Sequence, residues 1–129
     1  MDKNFALNKL VPALRSGSFK KGWGLLRQHL NGEWFYCCLG VACELSETGE
    51  WAGDRYNVRG HYSNMSLPTY VQEAIGAHSG LGVLPFKFRV DDDSNEQEWA
   101  TLSAINDAIV EPFTFDQIAD VIQAFYEVL

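Results

Sequence analysis

The sequence lacks any apolar run approaching the ~20 residues of a membrane-spanning helix, so no membrane span is expected. Its start, Met1-Asp2-Lys3-Asn4-Phe5, carries no apolar block of the signal-peptide kind, which points to a cytoplasmic protein. Cysteine is scarce, with Cys37 and Cys38 adjacent and Cys43 nearby, an odd set that suits reduced thiols and not a disulfide-built secreted scaffold. Low-complexity linkers and internal repeats are missing, so the 129 residues read as a single domain, 1–129. Cations are nearly absent from the back of the chain. Residues 61–129 hold only Lys87 and Arg89 against eleven acids, whereas residues 1–60 hold eight Lys/Arg against six Asp/Glu. A net charge of −7 excludes a generic nucleic-acid binder that works by counterion release. What is present is core material: 47% hydrophobic and 13% aromatic residues exclude intrinsic disorder.

Periodicity places the elements. Leu7, Leu10, Val11 and Leu14 recur at helical spacing, with Pro12 as a kink and Gly17 as a stop. Residues 24–37 read as a hairpin, with strands over 25–30 and 33–37 joined by the two-residue turn Asn31-Gly32. The nearly apolar stretch 37–45 predicts a buried helix with Cys38, Val41, Ala42 and Leu45 on its stripe. Residues 51–65 predict a long loop or a short irregular hairpin, and Pro68 and Gly76 bound a short helix. Residues 84–90 predict a strand that Pro85 confines to an edge, and 91–98 an acidic loop. Trp99, Leu102, Ile105 and Ile109 predict a helix. Thr114 and Gln117 form a capping box for the last helix, which carries Phe115, Ile118, Ala119, Ile122, Tyr126 and Leu129 on one face. The expected fold is α+β: a small antiparallel sheet, made of the hairpin at about 24–37 and an edge strand at about 84–90, packed by four to five helices.

Three chemical patterns compete with plain structural roles. On a helix Cys37 and Cys38 point about 100° apart and Cys43 lies about 140° from Cys38, so the thiols do not converge on a metal, and neither metal nor cofactor is expected. Asp91, Asp93 and Asn95 resemble the start of a calcium loop, but Glu96 stands where glycine is needed and Leu102 where a bidentate Glu is needed. Cys38-Leu39-Gly40-Val41, following a strand and opening a helix, resembles the start of cell-wall cysteine peptidases, with His61 or His78 as the base. The alternative, cysteines as small apolar fillers that let a helix pack closely, is preferred.

The front half offers a binding constellation. Arg15, Lys20, Lys21 and Arg27 interleave with Phe19, Trp23 and Trp34, and Arg55, Tyr56, Arg59, His61 and Tyr62 follow. Arginine forks suit phosphate and aromatic faces stack on bases, so an anionic nucleotide-like small molecule is the ligand these residues fit. No glycine-rich phosphate loop accompanies them. The competing role is ordinary surface cations above core tryptophans.

Four blocks carry a resemblance: Ala13-Leu14-Arg15-Ser16-Gly17-Ser18-Phe19, Tyr36-Cys37-Cys38-Leu39-Gly40-Val41-Ala42-Cys43-Glu44-Leu45, Thr101-Leu102-Ser103-Ala104-Ile105-Asn106-Asp107, and Thr114-Phe115-Asp116-Gln117-Ile118-Ala119-Asp120-Val121-Ile122. In order and spacing they resemble a widespread set of small bacteriophage and prophage proteins. The resemblance implies a viral protein in the host cytoplasm and, at this size, an accessory that blunts host defence. The expected function is non-enzymatic capture of a nucleotide-derived signal. The alternative is direct block of a host defence or nucleic-acid-binding protein by the acidic half, and a Cys38 hydrolase comes third. A homo-oligomer is compatible with each.

Overall fold

In the computed structural model, residues 1–89, 97–109 and 112–129 are described. Asp91, Asp93, Asn95 and Glu96 of the acidic loop, and Val90 at the expected strand's end, lie outside them. The chain begins as a continuous helix in three pieces: α1 (Lys3–Phe5), a π-turn over Ala6–Leu10, and α2 (Val11–Arg15). Pro12 explains the wide turn. It has no N–H to donate and its ring crowds the carbonyl four residues back, and just before it the Val11 N–H reaches five residues back to Ala6 O. Leu10, Val11 and Leu14 are buried as their spacing predicts.

The hairpin forms as β2 (Arg27–Leu30) and β3 (Glu33–Tyr36), with Asn31 and Gly32 both at positive φ, the turn that matches strand twist. A two-residue strand, β1 (Lys20–Lys21), adds in parallel to β3, a pairing too short to leave a sequence pattern. Cys37 leaves the strand and caps α3 (Cys38–Ser46), its sulfur accepting the Gly40 N–H. Gly40 lies against the residue that leads into β2 so closely that a Cβ there would come 1.7 Å from the Leu26 carbonyl oxygen.

Of the loop and the short hairpin expected over 51–65, the structure takes the hairpin and extends it by a strand. Residues 50–63 form a three-stranded antiparallel meander of β4 (Glu50–Ala52), β5 (Arg55–Val58) and β6 (His61–Ser63). Next come α4 (Thr69–Ile75), which Gly76 ends in the left-handed region, and β7 (Val83–Arg89) paired with β8 (Gln97–Thr101). The expected edge strand thus joins its own two-stranded sheet and not the first hairpin, and the fold is α+β with three small sheets in place of one. Trp99 sits in β8 and is 62% exposed, and Ile109 is 79% exposed, so neither belongs to α5 (Leu102–Asn106). The helical periodicity there came from two residues that face solvent. The capping box at Thr114 and Gln117 is complete and opens α6 (Phe115–Phe125). Ile118 and Ile122 are fully buried, worth ~1.5–3 kcal/mol each. The core gathers the front helix, α3, α4, α5 and α6 around Leu10, Leu26, Val41, Tyr56 and Ile105.

Among the described residues, Asn106 is the buried polar side chain in that core. Its Oδ1 accepts the Cys38 N–H, and its Nδ2 donates to Gly22 O and Asp107 Oδ1, both at 3.0 Å.

Candidate functional site

β6 and α4 face each other across a groove of about 560 Å³ whose walls include His61, Tyr62, Ser63, Ser66, Tyr70 and Glu73. The local sequence builds it. Arg59 and Gly60, at φ 53° and 83°, make the tight turn between β5 and β6 and swing Arg59 out. A left-handed conformation at a residue other than glycine is uncommon and costs of order 1 kcal/mol or more. After β6 the Ser63 Oγ donates to Ser66 O at 2.7 Å and accepts the Ser66 N–H, turning the chain toward Pro68, and Gln72 Nε2 donates to Leu67 O at 2.8 Å. The groove floor is therefore held by bonds within the turn.

Tyr70 is the centre of the site. The Arg59 guanidinium lies 5.0 Å from its ring centroid, and the His61 ring meets it edge-on at 5.5 Å. Two shallower pockets lie beside the groove. One, of about 430 Å³, shares Tyr70 and Glu73 and adds Arg59. The other, of about 150 Å³, shares Tyr62 and Ser63 and adds Arg55. The ion pairs among the described residues involve Arg15 and Lys20, and neither Arg55 nor Arg59 takes part. In a chain of charge −7, both are exposed cations, Arg59 beside Tyr70 and Arg55 beside Tyr62.

The other candidate residues of the front half lie elsewhere and are engaged. Arg15 reaches α6, bonding Asp116, Asp120 and Gln123. Lys20 pairs with Glu33. Lys21 donates to Asn106 O and lies 4.3 Å from the Trp23 ring centroid, and burial lowers its pKa. Arg27 is sandwiched between Trp34 at 3.8 Å and Trp51 at 4.4 Å and donates to Gly53 O, joining the first sheet to the meander. Tyr56, selected with the loop residues, is buried at 1% exposure, and its hydroxyl accepts the Gly49 N–H. Of the residues of this segment, His61 and Tyr62 line the groove, Arg59 and Arg55 each line a separate neighbouring pocket, and Tyr56 lies in the core. Tyr70, Ser66 and Glu73 were missed. Their segment shows only a short polar helix in sequence, and the β6–α4 turn alone brings it to the site.

Cys38 is 1% exposed, and its thiol is directed to Leu102 O at 3.6 Å. Burial pushes the Cys38 thiol well above the usual range, and Cys37 up to about 11. A nucleophile needs the thiolate and access, and burial opposes both at Cys38. His61 packs on Tyr70, so the structure does not join it to that thiol. Among the described residues, no three His, Cys, Asp or Glu side chains group to hold a metal ion. No described helix is long and apolar enough to cross a membrane.

Residues 2–126 match the model of a family described as a domain of unknown function, DUF8296. The chain belongs to that family. No curated protein and no solved structure matches it. The DUF8296 match spans the capped α3, Asn106 and the groove alike.

Proposed function

We propose that this DUF8296 protein is a non-enzymatic binding protein that captures an anionic, nucleotide-like small molecule in the β6–α4 groove. The observation that carries this is Tyr70 between Arg59 and His61 at the groove wall, with Arg59 in no ion pair among the described residues. An aromatic face and an arginine fork are the two elements that hold a base and a phosphate. The chambers of about 560 and 430 Å³ fall in the ~300–1,000 Å³ range of small-molecule sites. With the resemblance to small phage proteins, this supports an anti-defence role in the host cytoplasm, in which a nucleotide-derived immune signal is sequestered. The alternative, an acidic inhibitor of a host protein, draws less support, since Arg15 already holds Asp116 and Asp120.

The test is mass spectrometry of small molecules that co-purify from defence-active cells, followed by calorimetric titration of the compounds found. Arg59→Ala is expected to weaken binding by roughly ten- to a hundredfold, about 1.5–3 kcal/mol. Its melting temperature should stay close to the parent's, because an exposed cation contributes little stability. A parent protein that carries and binds no small anion ends the sequestration idea.

A further inference from the structure

We infer that Glu73 sets which base the site accepts, its carboxylate taking the two adjacent N–H donors of a guanine ring while Arg59 takes the phosphate; this rests on the groove being the ligand site.

Tyr70 and Glu73 stand three positions apart on α4, which puts them on one face of the helix with Cβ atoms about 5–6 Å apart. Both line the β6–α4 groove, and both line the neighbouring pocket that holds Arg59. Arg59 and Glu73 therefore share a space of about 430 Å³ with opposite charges. They form no ion pair with each other or with any other described residue. Glu73 is exposed, and its carboxylate accepts no hydrogen bond among the described residues.

A ligand with anionic groups alone meets repulsion at Glu73. One with a phosphate at one end and N–H donors at the other satisfies both charged side chains. Neighbouring polar groups of the groove are already engaged, Ser63 Oγ with Ser66 and the Gln72 amide N–H with Leu67 O. Beside the carboxylate lie the rings of Tyr70 and His61, which suit stacking on a planar base. Guanine carries a ring N–H and an exocyclic amino group side by side, a fork that matches two carboxylate oxygens. Adenine carries one amino group next to a ring nitrogen that is itself an acceptor, so a lone pair there opposes the carboxylate. Uracil flanks its one N–H with two carbonyl oxygens. Guanine is the base that fits.

Calorimetric titration of the full chain with GMP, IMP and AMP tests this, using the parent, Glu73→Gln and Arg59→Ala. The parent is expected to bind GMP at least roughly tenfold tighter than AMP. IMP keeps the ring N–H and lacks the amino group, so it should fall between them. Glu73→Gln should weaken GMP by roughly tenfold or more and leave AMP unchanged or tighter, because an amide both donates and accepts. Arg59→Ala should weaken all three alike, since each carries the same phosphate. Equal binding of GMP and AMP by the parent, or a guanine preference that survives Glu73→Gln, overturns the assignment; if Arg59→Ala still weakens binding, the groove stands as an anion site without base selection. If none of the three binds the parent, the guanine assignment falls, and capture in the groove falls with it when no co-purified anion binds either.

Discussion

The side-chain oxygen of Asn106 accepts the backbone N–H of Cys38 at 3.1 Å, so a residue at the end of α5 secures the start of α3. The same amide donates to Gly22 O, which makes one fully buried side chain the meeting point of three distant segments. The Asn106-Asp107 and Tyr36-to-Leu45 blocks are thus two halves of one junction.

Asn106→Ala is expected to lower stability by about 2–4 kcal/mol, since it strands the Cys38 N–H and the Gly22 carbonyl in the core at ~1–3 kcal/mol each. Asn106→Asp should be at least as damaging, because a carboxylate oxygen then faces Gly22 O and Asp107. Urea unfolding followed by circular dichroism measures both. A loss below about 1 kcal/mol for Asn106→Ala would mean that water takes over the bonds.

Gly40→Ala should be among the worst single substitutions in the protein. Alanine favours a helix over glycine by ~1 kcal/mol, yet its Cβ would meet the Leu26 carbonyl carbon and oxygen, which are backbone and cannot swing aside. A loss of more than about 3 kcal/mol, or an insoluble product, is expected. A variant that melts at or above the parent's temperature would show that the hairpin does not sit on α3.

Stability should fall in alkali. Burial raises the pKa of Cys37, Cys38 and Cys43 above the ordinary 9.0. Unfolded thiols therefore lose protons from about pH 9 while the folded ones keep theirs, so the stabilisation is complete below pH 9 and declines above it. Each thiol contributes a slope of about 1.4 kcal/mol per pH unit, and for Cys37 the decline ends near pH 11. Comparing urea midpoints at pH 8 and pH 10 checks this, with Cys38→Ala giving a shallower decline; equal slopes for parent and variant would refute it.

Arg27→Ala should cost about 2 kcal/mol, combining two ring contacts and a carbonyl bond. Arg27→Lys should recover little, because an ammonium does not stack between two indoles. The tryptophan emission of Trp34 and Trp51 reports the change alongside thermal melts. Unchanged emission and stability would make the sandwich incidental.

Elements with strong local chemistry were legible in the sequence: the Asn31-Gly32 turn, the Thr114/Gln117 box, and the Pro68 and Gly76 limits of α4. The meander was not, because its strands are three or four residues long and Arg59 is an unusual turn residue. Trp99 misled, as its apolar character suggested a core position when it stands on an outer sheet face beside Lys87. For the site, the exposed Arg55, Arg59, His61 and Tyr62 were visible as types. Tyr56 and the α4 wall depended on strand alternation and on the turn at Ser63, which composition does not encode.

The bonds from Asn106 to Cys38 and Gly22 span 68 and 84 residues, and those from Arg15 to α6 span more than 100. Contacts this distant require large loops to close before they return any energy, so folding should be slower than for helical proteins of similar size. On the ribosome, α3 has its own cap at Cys37 but no partner for the Cys38 N–H until residue 106 has emerged. The first hundred residues must therefore wait in an unfinished state, and a synthesis pause before that point lengthens their exposure to proteases and to self-association.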